Sequence, residues 1–216
     1  MRQAFVIVLF SLLLAGTGAG SVISTFDTDY EGWTVVGDGD DTSVQYFSTG
    51  GLPGGFIRRN DNTVSYMHFS APAKFLGDLS RASYISYDLL QTVINNDDFW
   101  YYRVVVEGAG MMLLNQVQMP VNPNDWVHQV VYFQPTGWEV ITHLGHTSGT
   151  AVTPEQFAAV LADVTGLHIT GDLANTPVDI ASLDNVNLVD SPEPSSVGLV
   201  LLGSVAILIG RRRRSC

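Results

Sequence analysis

The chain has 216 residues, 46% of them hydrophobic and 14% charged, and 21 acidic against ten basic side chains give a formal net charge of −11. That balance repels nucleic acid and anionic lipid and makes divalent cations the charged partners to expect. The single cysteine, Cys216, ends the chain, so the body of the protein contains no disulfide and must rely on its core or on a structural metal.

In chain order, Arg2 is followed by the apolar stretch Ala4–Ala15 and the small residues Gly16-Thr17-Gly18-Ala19-Gly20. This pattern reads as a secretory signal peptide over 1–19, with Thr17 and Ala19 small enough for the positions three and one before the cut. Residues 20–190, about 170 in all, suffice for one domain with its own core. Within them, short runs rich in β-branched and aromatic residues alternate with Gly, Asp, Asn and Pro, the pattern of an antiparallel β domain. Strands are expected near Trp33–Val36, Val44–Phe47, Phe56–Arg58, Thr63–Phe69, Tyr84–Leu90, Tyr101–Glu107, Met111–Gln116, Val127–Phe133, Leu167–Thr170 and Ala181–Leu188. Turns are expected at the glycine clusters Gly37–Asp41, Gly50–Gly55 and Gly108–Gly110.

One helix interrupts the pattern. Thr153-Pro154-Glu155-Gln156 supplies an N-cap, a proline at the first helical position and a capping-box Gln. Phe157, Val160 and Leu161 then share one face, and the spacing predicts a helix over 154–165 that ends before Gly166 and closes one end of a sandwich.

The chain closes with Ser191-Pro192-Glu193-Pro194, an apolar run Val197–Gly210, and Arg211-Arg212-Arg213-Arg214. The prolines keep the Glu193 region extended and accessible. The 14-residue run spans roughly 21 Å as a helix, short of the hydrocarbon core of about 30 Å. Four arginines after it would stay cytoplasmic and leave the domain outside. This tail, 191–216, resembles the PEP-CTERM sorting signal. The resemblance implies Pro192, Glu193, Pro194 and Arg211–Arg214 as the recognised elements, and an exosortase-type processing enzyme as partner. It also implies transient insertion in the inner membrane before release or attachment at the cell surface. A plain tail anchor is the alternative. Loss of both terminal signals leaves five basic and 20 acidic residues, a charge near −15.

Four segments of the domain carry a second resemblance. They are the opening-strand segment Phe26–Gly39, the glycine-rich Gly50–Ile57, Phe69–Asp78 leading into Tyr84–Asp88, and the closing strand Ser182-Leu183-Asp184-Asn185-Val186-Asn187-Leu188. Together they resemble laminin IV type A (laminin B) domains and galactose-binding-like carbohydrate modules. The resemblance implies a mainly β, antiparallel jelly-roll sandwich whose first and last strands lie side by side. It also implies a structural calcium ion at Asp27 and Asp184, with Asp29 or a glycine-loop carbonyl as weaker additions.

Sugar recognition needs flat aromatic rings beside polar groups. The segment Asn95-Asn96-Asp97-Asp98-Phe99-Trp100-Tyr101-Tyr102-Arg103 offers both, and makes Trp100, Tyr101 and Tyr102 candidate ligand residues. In a strand Trp100 and Tyr102 face one way and Tyr101 and Arg103 the other, so one pair at most forms a platform. Trp33, Trp126 and Trp138 read as core. His143-Leu144-Gly145-His146 lacks the partners of a zinc site and reads as a solvated loop, and His68, His128 and His168 have no evident partner. The many turn-forming carboxylates give no reason to choose two for glycoside hydrolysis. The expectation is an exported, non-catalytic protein that binds extracellular polysaccharide. The alternatives are a structural or adhesive matrix protein without a sugar site and, behind it, a hydrolase.

Overall fold

The computed structural model describes residues 20–61, 65–93, 101–118, 124–172 and 179–191. The predicted signal peptide at 1–19, the tail beyond Ser191 and Trp100 lie outside them. Two antiparallel sheets form a sandwich, as a chain of short alternating strands requires. The strands are β1 (Ser21–Ser24), β2 (Thr34–Val36), β3 (Gln45–Gly51), β4 (Gly54–Asp61), β5 (His68–Ser70), β6 (Ala82–Val93) and β7 (Tyr101–Gly108). They continue with β8 (Met111–Gln118), β9 (Trp126–Tyr132), β10 (Trp138–Ile141), β11 (Thr150–Ala151), β12 (Val164–Thr170) and β13 (Asp179–Asp190); the helix α1 (Pro154–Leu161) precedes β12.

One sheet runs β3-β4-β13-β6-β9, with β1 also on β13; the other runs β11-β10-β8-β7-β12-β5-β2. The first and last strands are neighbours, with Ser21 opposite Val189 and Ser24 opposite Val186. Period-two alternation sends Ile85, Tyr87 and Leu89 of β6 into the core, and Ser86 and Asp88 to the outer face. Trp33 is fully buried, edge-on to Phe26 and Phe75 at 6.1 and 5.4 Å, and its Nε1–H donates to Ser24 Oγ at 2.9 Å. At the other end Trp138 stacks on Phe133 and meets Phe157 of α1, so the helix joins the core through its apolar face.

Several expectations change in detail. The Phe26–Gly32 segment is a turn, with left-handed φ at Phe26, Glu31 and Gly32, tied by Thr25 and Phe26 N–H donation to Glu31 and by the Glu31–Lys74 pair. The helix has its full capping box but ends at Leu161. Gly166 belongs to β12, where the register with β7 shifts, and a Cβ there would meet His168 and Glu107. The strand expected over Thr63–Phe69 starts only at His68, with 62–64 outside the described residues. β1, β10 and β11 were not anticipated.

Truncating Trp33 removes a large buried ring and orphans Ser24. Trp33→Ala is expected to destabilise the domain by about 3–5 kcal/mol in urea unfolding, the range for buried aromatic deletions; a loss below about 1 kcal/mol would contradict this packing.

Candidate functional site: an acidic cradle at a strand junction

Along one edge of β13 two strands share the pairing. β4 pairs with it from Asp179 to Leu183, and β1 takes over at Val186. Between them, at Asp184-Asn185, the register with β6 shifts and Asn185 adopts φ +49°. Asp184 therefore lies in a gap between strand ends. Neither residue forms the simple turn that an Asp-Asn pair suggests; they make a bulge inside a twelve-residue strand.

The tip of the β3–β4 hairpin closes this gap. Leu52 N–H donates to Asp184 Oδ2 at 2.6 Å, and Asn185 N–H donates to Asp184 Oδ1 at 2.7 Å. The Asn185 amide donates to the Leu52 carbonyl and, at 2.8 Å, to Asp88 Oδ2. Asp88 Oδ1 lies 2.7 Å from His128 Nδ1. Asp184, Asp88 and His128 are register partners, so one polar row crosses three strands.

Glycine is required where the hairpin comes closest. A Cβ on Gly51 would lie 2.4 Å from Asp184 Oδ2 and 2.3 Å from the Gly55 carbonyl; one on Gly54, at φ +96°, would lie 2.4 Å from Asp27 Oδ1. One on Gly55 would meet the Phe26 carbonyl at 2.0 Å. These glycines thus let the hairpin backbone pack directly against Asp184, Asp27 and the Phe26 carbonyl. Asp27 is held by Thr25 Oγ1 donating to Oδ2 at 2.8 Å and by Tyr46 OH donating to its carbonyl at 3.0 Å. Asp29 turns away and accepts from Glu31 N–H.

Asp184 is fully buried. Desolvation pushes its carboxyl up to about 6, with the charges of Asp88 and Asp27 adding to the shift and the Leu52 and Asn185 amides opposing it. Among the described residues no group of three His, Cys, Asp or Glu side chains is arranged to hold a metal. Asp184 Oδ2 faces Gly51 and Asp27 Oδ1 faces Gly54, so the two carboxylates expected to hold calcium both lie against the β3–β4 hairpin tip.

The other sequence-selected residues are dispersed. Tyr101 and Tyr102 open β7 opposite Gln118 and Val117. His143 and His146 have ring centroids 3.6 Å apart on the Thr142–Gly149 loop. His68 is buried and neutral, its pKa pushed down to about 3 by desolvation, with Nε2–H donating to the Leu144 carbonyl and Nδ1 accepting from Thr170. His168 meets Glu107. The histidines expected to lack partners all have them. Trp33 and Trp138 are core, but Trp126 is half-buried on the outer face, edge-on to Phe56 at 5.7 Å. Sequence reasoning passed over Asp88, His128 and Asn185. The available signal was a carboxylate inside the apolar alternation Tyr84–Leu90.

The fold defines a jelly-roll module, and the family follows from the sequence. The chain belongs to the laminin B (domain IV) family, whose model matches residues 68–201. No curated protein matches it. Among solved structures it is similar to the L4b domain of human laminin alpha-2, at TM-score 0.62 and 10% identity over 81% of this chain and 99% of that one. It is also similar to CtCBM11 in solution, at TM-score 0.52 and 16% identity over 82% and 99%. A family 11 carbohydrate-binding module from a cellulosomal cellulase of Clostridium thermocellum aligns at TM-score 0.46 and 14% identity over 82% and 90%.

In the metal-free protein the native state holds a proton on Asp184 between the ordinary aspartate range near 4 and about 6, where the unfolded chain does not. Stability should therefore fall as pH rises from 4 to 6, with the penalty complete above 6. Urea midpoints in chelator are expected to show this slope in the wild type and a flatter one in Asp184→Asn; equal slopes would contradict the assignment.

Proposed function

We propose that this protein is an exported, non-catalytic module that binds polysaccharide at the cell surface or in the extracellular matrix, with one structural calcium ion held by Asp27 and Asp184. The observation that carries the reading is the laminin B sandwich whose hairpin tip packs against both Asp27 and Asp184 at the strand junction. A calcium ion there would neutralise Asp27 and Asp184 and hold the hairpin tip against β13, a structural contribution rather than a chemical step. The carboxylates that gather on this side serve structure: Asp184 accepts two backbone amides, Asp27 a hydroxyl, and Asp88 bonds Asn185 and His128. This use favours a binding module over a glycoside hydrolase.

Trp100, Tyr101 and Tyr102 remain proposed ligand residues on the strength of their aromatic and polar neighbours in sequence. The tail supports sorting by an exosortase-type enzyme that recognises Pro192-Glu193-Pro194 and leaves Arg211–Arg214 in the cytoplasm. Among the described residues no helix is long and apolar enough to cross a membrane. A second reading, an adhesive matrix protein without a sugar site, is favoured by the likeness to a laminin domain.

A glycan-array screen of the exported protein, with calcium and with chelator, is expected to give selective polysaccharide binding. Silence under both conditions from a folded sample would favour the adhesive reading. The intact mass of the same sample is expected to lack residues 1–19 and the tail 191–216 that carries the Pro-Glu-Pro motif; an uncut C-terminus would refute the sorting assignment.

A further inference from the structure

The two outer faces of the sandwich differ. On the seven-stranded sheet, Val105, Leu114 and Ile141 form a second buried cluster beneath Met112 and Leu144, and the Leu144 carbonyl is held by His68. The Thr142–Gly149 loop therefore covers much of that face with the protein's own side chains. The six-stranded sheet is exposed along β9, β1 and the β3–β4 hairpin tip, while Ser86, Asp88, Ser182 and Asp184 between them are buried. Four of the five large apolar side chains exposed among the described residues belong to it or its hairpin tip: Ile23 at 47%, Leu52 at 46%, Val130 at 38% and Tyr132 at 59%.

The registers arrange this face in rows. Val189, Tyr84 and Tyr132 form one; Asn187, Ser86 and Val130 the next; Asp184, Asp88 and His128 the third; Ser182, Leu90 and Trp126 the fourth. β9 thus carries an aromatic ring at each end, with His128 between them. Tyr132 is braced edge-on by Tyr84 at 6.0 Å, and Trp126 by Phe56 at 5.7 Å. The two rings stand roughly 20 Å apart along the strand, room for several pyranose units.

We propose that this edge is a platform for a neutral polysaccharide lying along β9, with Tyr132 and Trp126 stacking on sugar rings and the exposed His128, held by buried Asp88, bonding hydroxyls between them. This rests on the polysaccharide-binding reading above and assigns it a site apart from Trp100, Tyr101 and Tyr102. Preset aromatic rings give contact area at little entropic cost, and the polar row between them suits hydroxyls better than a second apolar surface. Charge selects the class of glycan. Arg58 is occupied over the Phe47 and Phe56 rings and with Ser182, while Asp88 and Asp184 lie in the floor of a strongly acidic domain, so uronates and sulfated chains are repelled.

Native affinity electrophoresis of the full-length protein tests this in gels containing hydroxyethylcellulose, mixed-linkage β-glucan, xylan or anionic alginate. At least one neutral polymer is expected to retard the wild type, and alginate none. Tyr132→Ala, at an exposed position and with an unchanged melt, should weaken retardation at least tenfold, whereas Tyr30→Ala, at an exposed ring off this sheet, should not. Tyr132→Ala binding like the wild type would overturn the platform and leave polysaccharide binding elsewhere. No retardation by any neutral polymer would overturn both. Self-association in sedimentation that Tyr132→Ala abolishes, without glycan retardation, would assign the face to a second copy and overturn the proposal.

Discussion

The structure turns on one strand serving two partners along the same edge. β13 pairs with β4 up to Leu183 and with β1 from Val186, and neither strand reaches the residues between. Backbone amides at such a gap still need acceptors. Asp184 supplies them, its carboxylate taking the amides of Asn185 and Leu52. The cost is a buried acid whose proton affinity is raised by desolvation and by two neighbouring carboxylates. The calcium ion proposed between Asp27 and Asp184 would offset that cost; Asp184 itself fixes the hairpin tip through the Leu52 amide.

Much of this was written locally. Glycine clusters marked the turns, the Thr153–Gln156 capping box marked the helix start, and alternation marked most strands. Asp27 and Asp184 were reached through resemblance, and the structure sets Asp27 against Gly54 and Asp184 against Gly51 of one hairpin. What local pattern does not encode is register. The bulge at Asp184-Asn185 exists because β1 and β4 abut on β13, a relation between segments far apart in the chain. Asp88 and His128 meet only once β6 and β9 are paired. The short strands β10 and β11 sit among loop residues, where two to four residues give too little periodicity to read. Gly166 looked like a helix stop because a glycine after an apolar stripe usually is one; here it relieves crowding against Glu107 and His168 in a shifted strand pair.

The division between the faces follows from the same architecture. The Thr142–Gly149 loop lies over the seven-stranded sheet and is anchored through buried His68, so that face is spent on stability. The six-stranded sheet keeps its β9 edge accessible through Val130 and Tyr132, and the hairpin tip is pinned at Asp184. The Asp184 junction and the β9 surface are joined through β6, which pairs with both β13 and β9.

As proposed, the acidic junction acts as a cation-dependent latch. Thermal melts of the wild type and of Asp184→Ala, each with calcium and with chelator, distinguish this from a metal-independent junction. Chelation is expected to lower the wild-type melting temperature and to leave Asp184→Ala unchanged. A wild-type melt indifferent to chelator would contradict it.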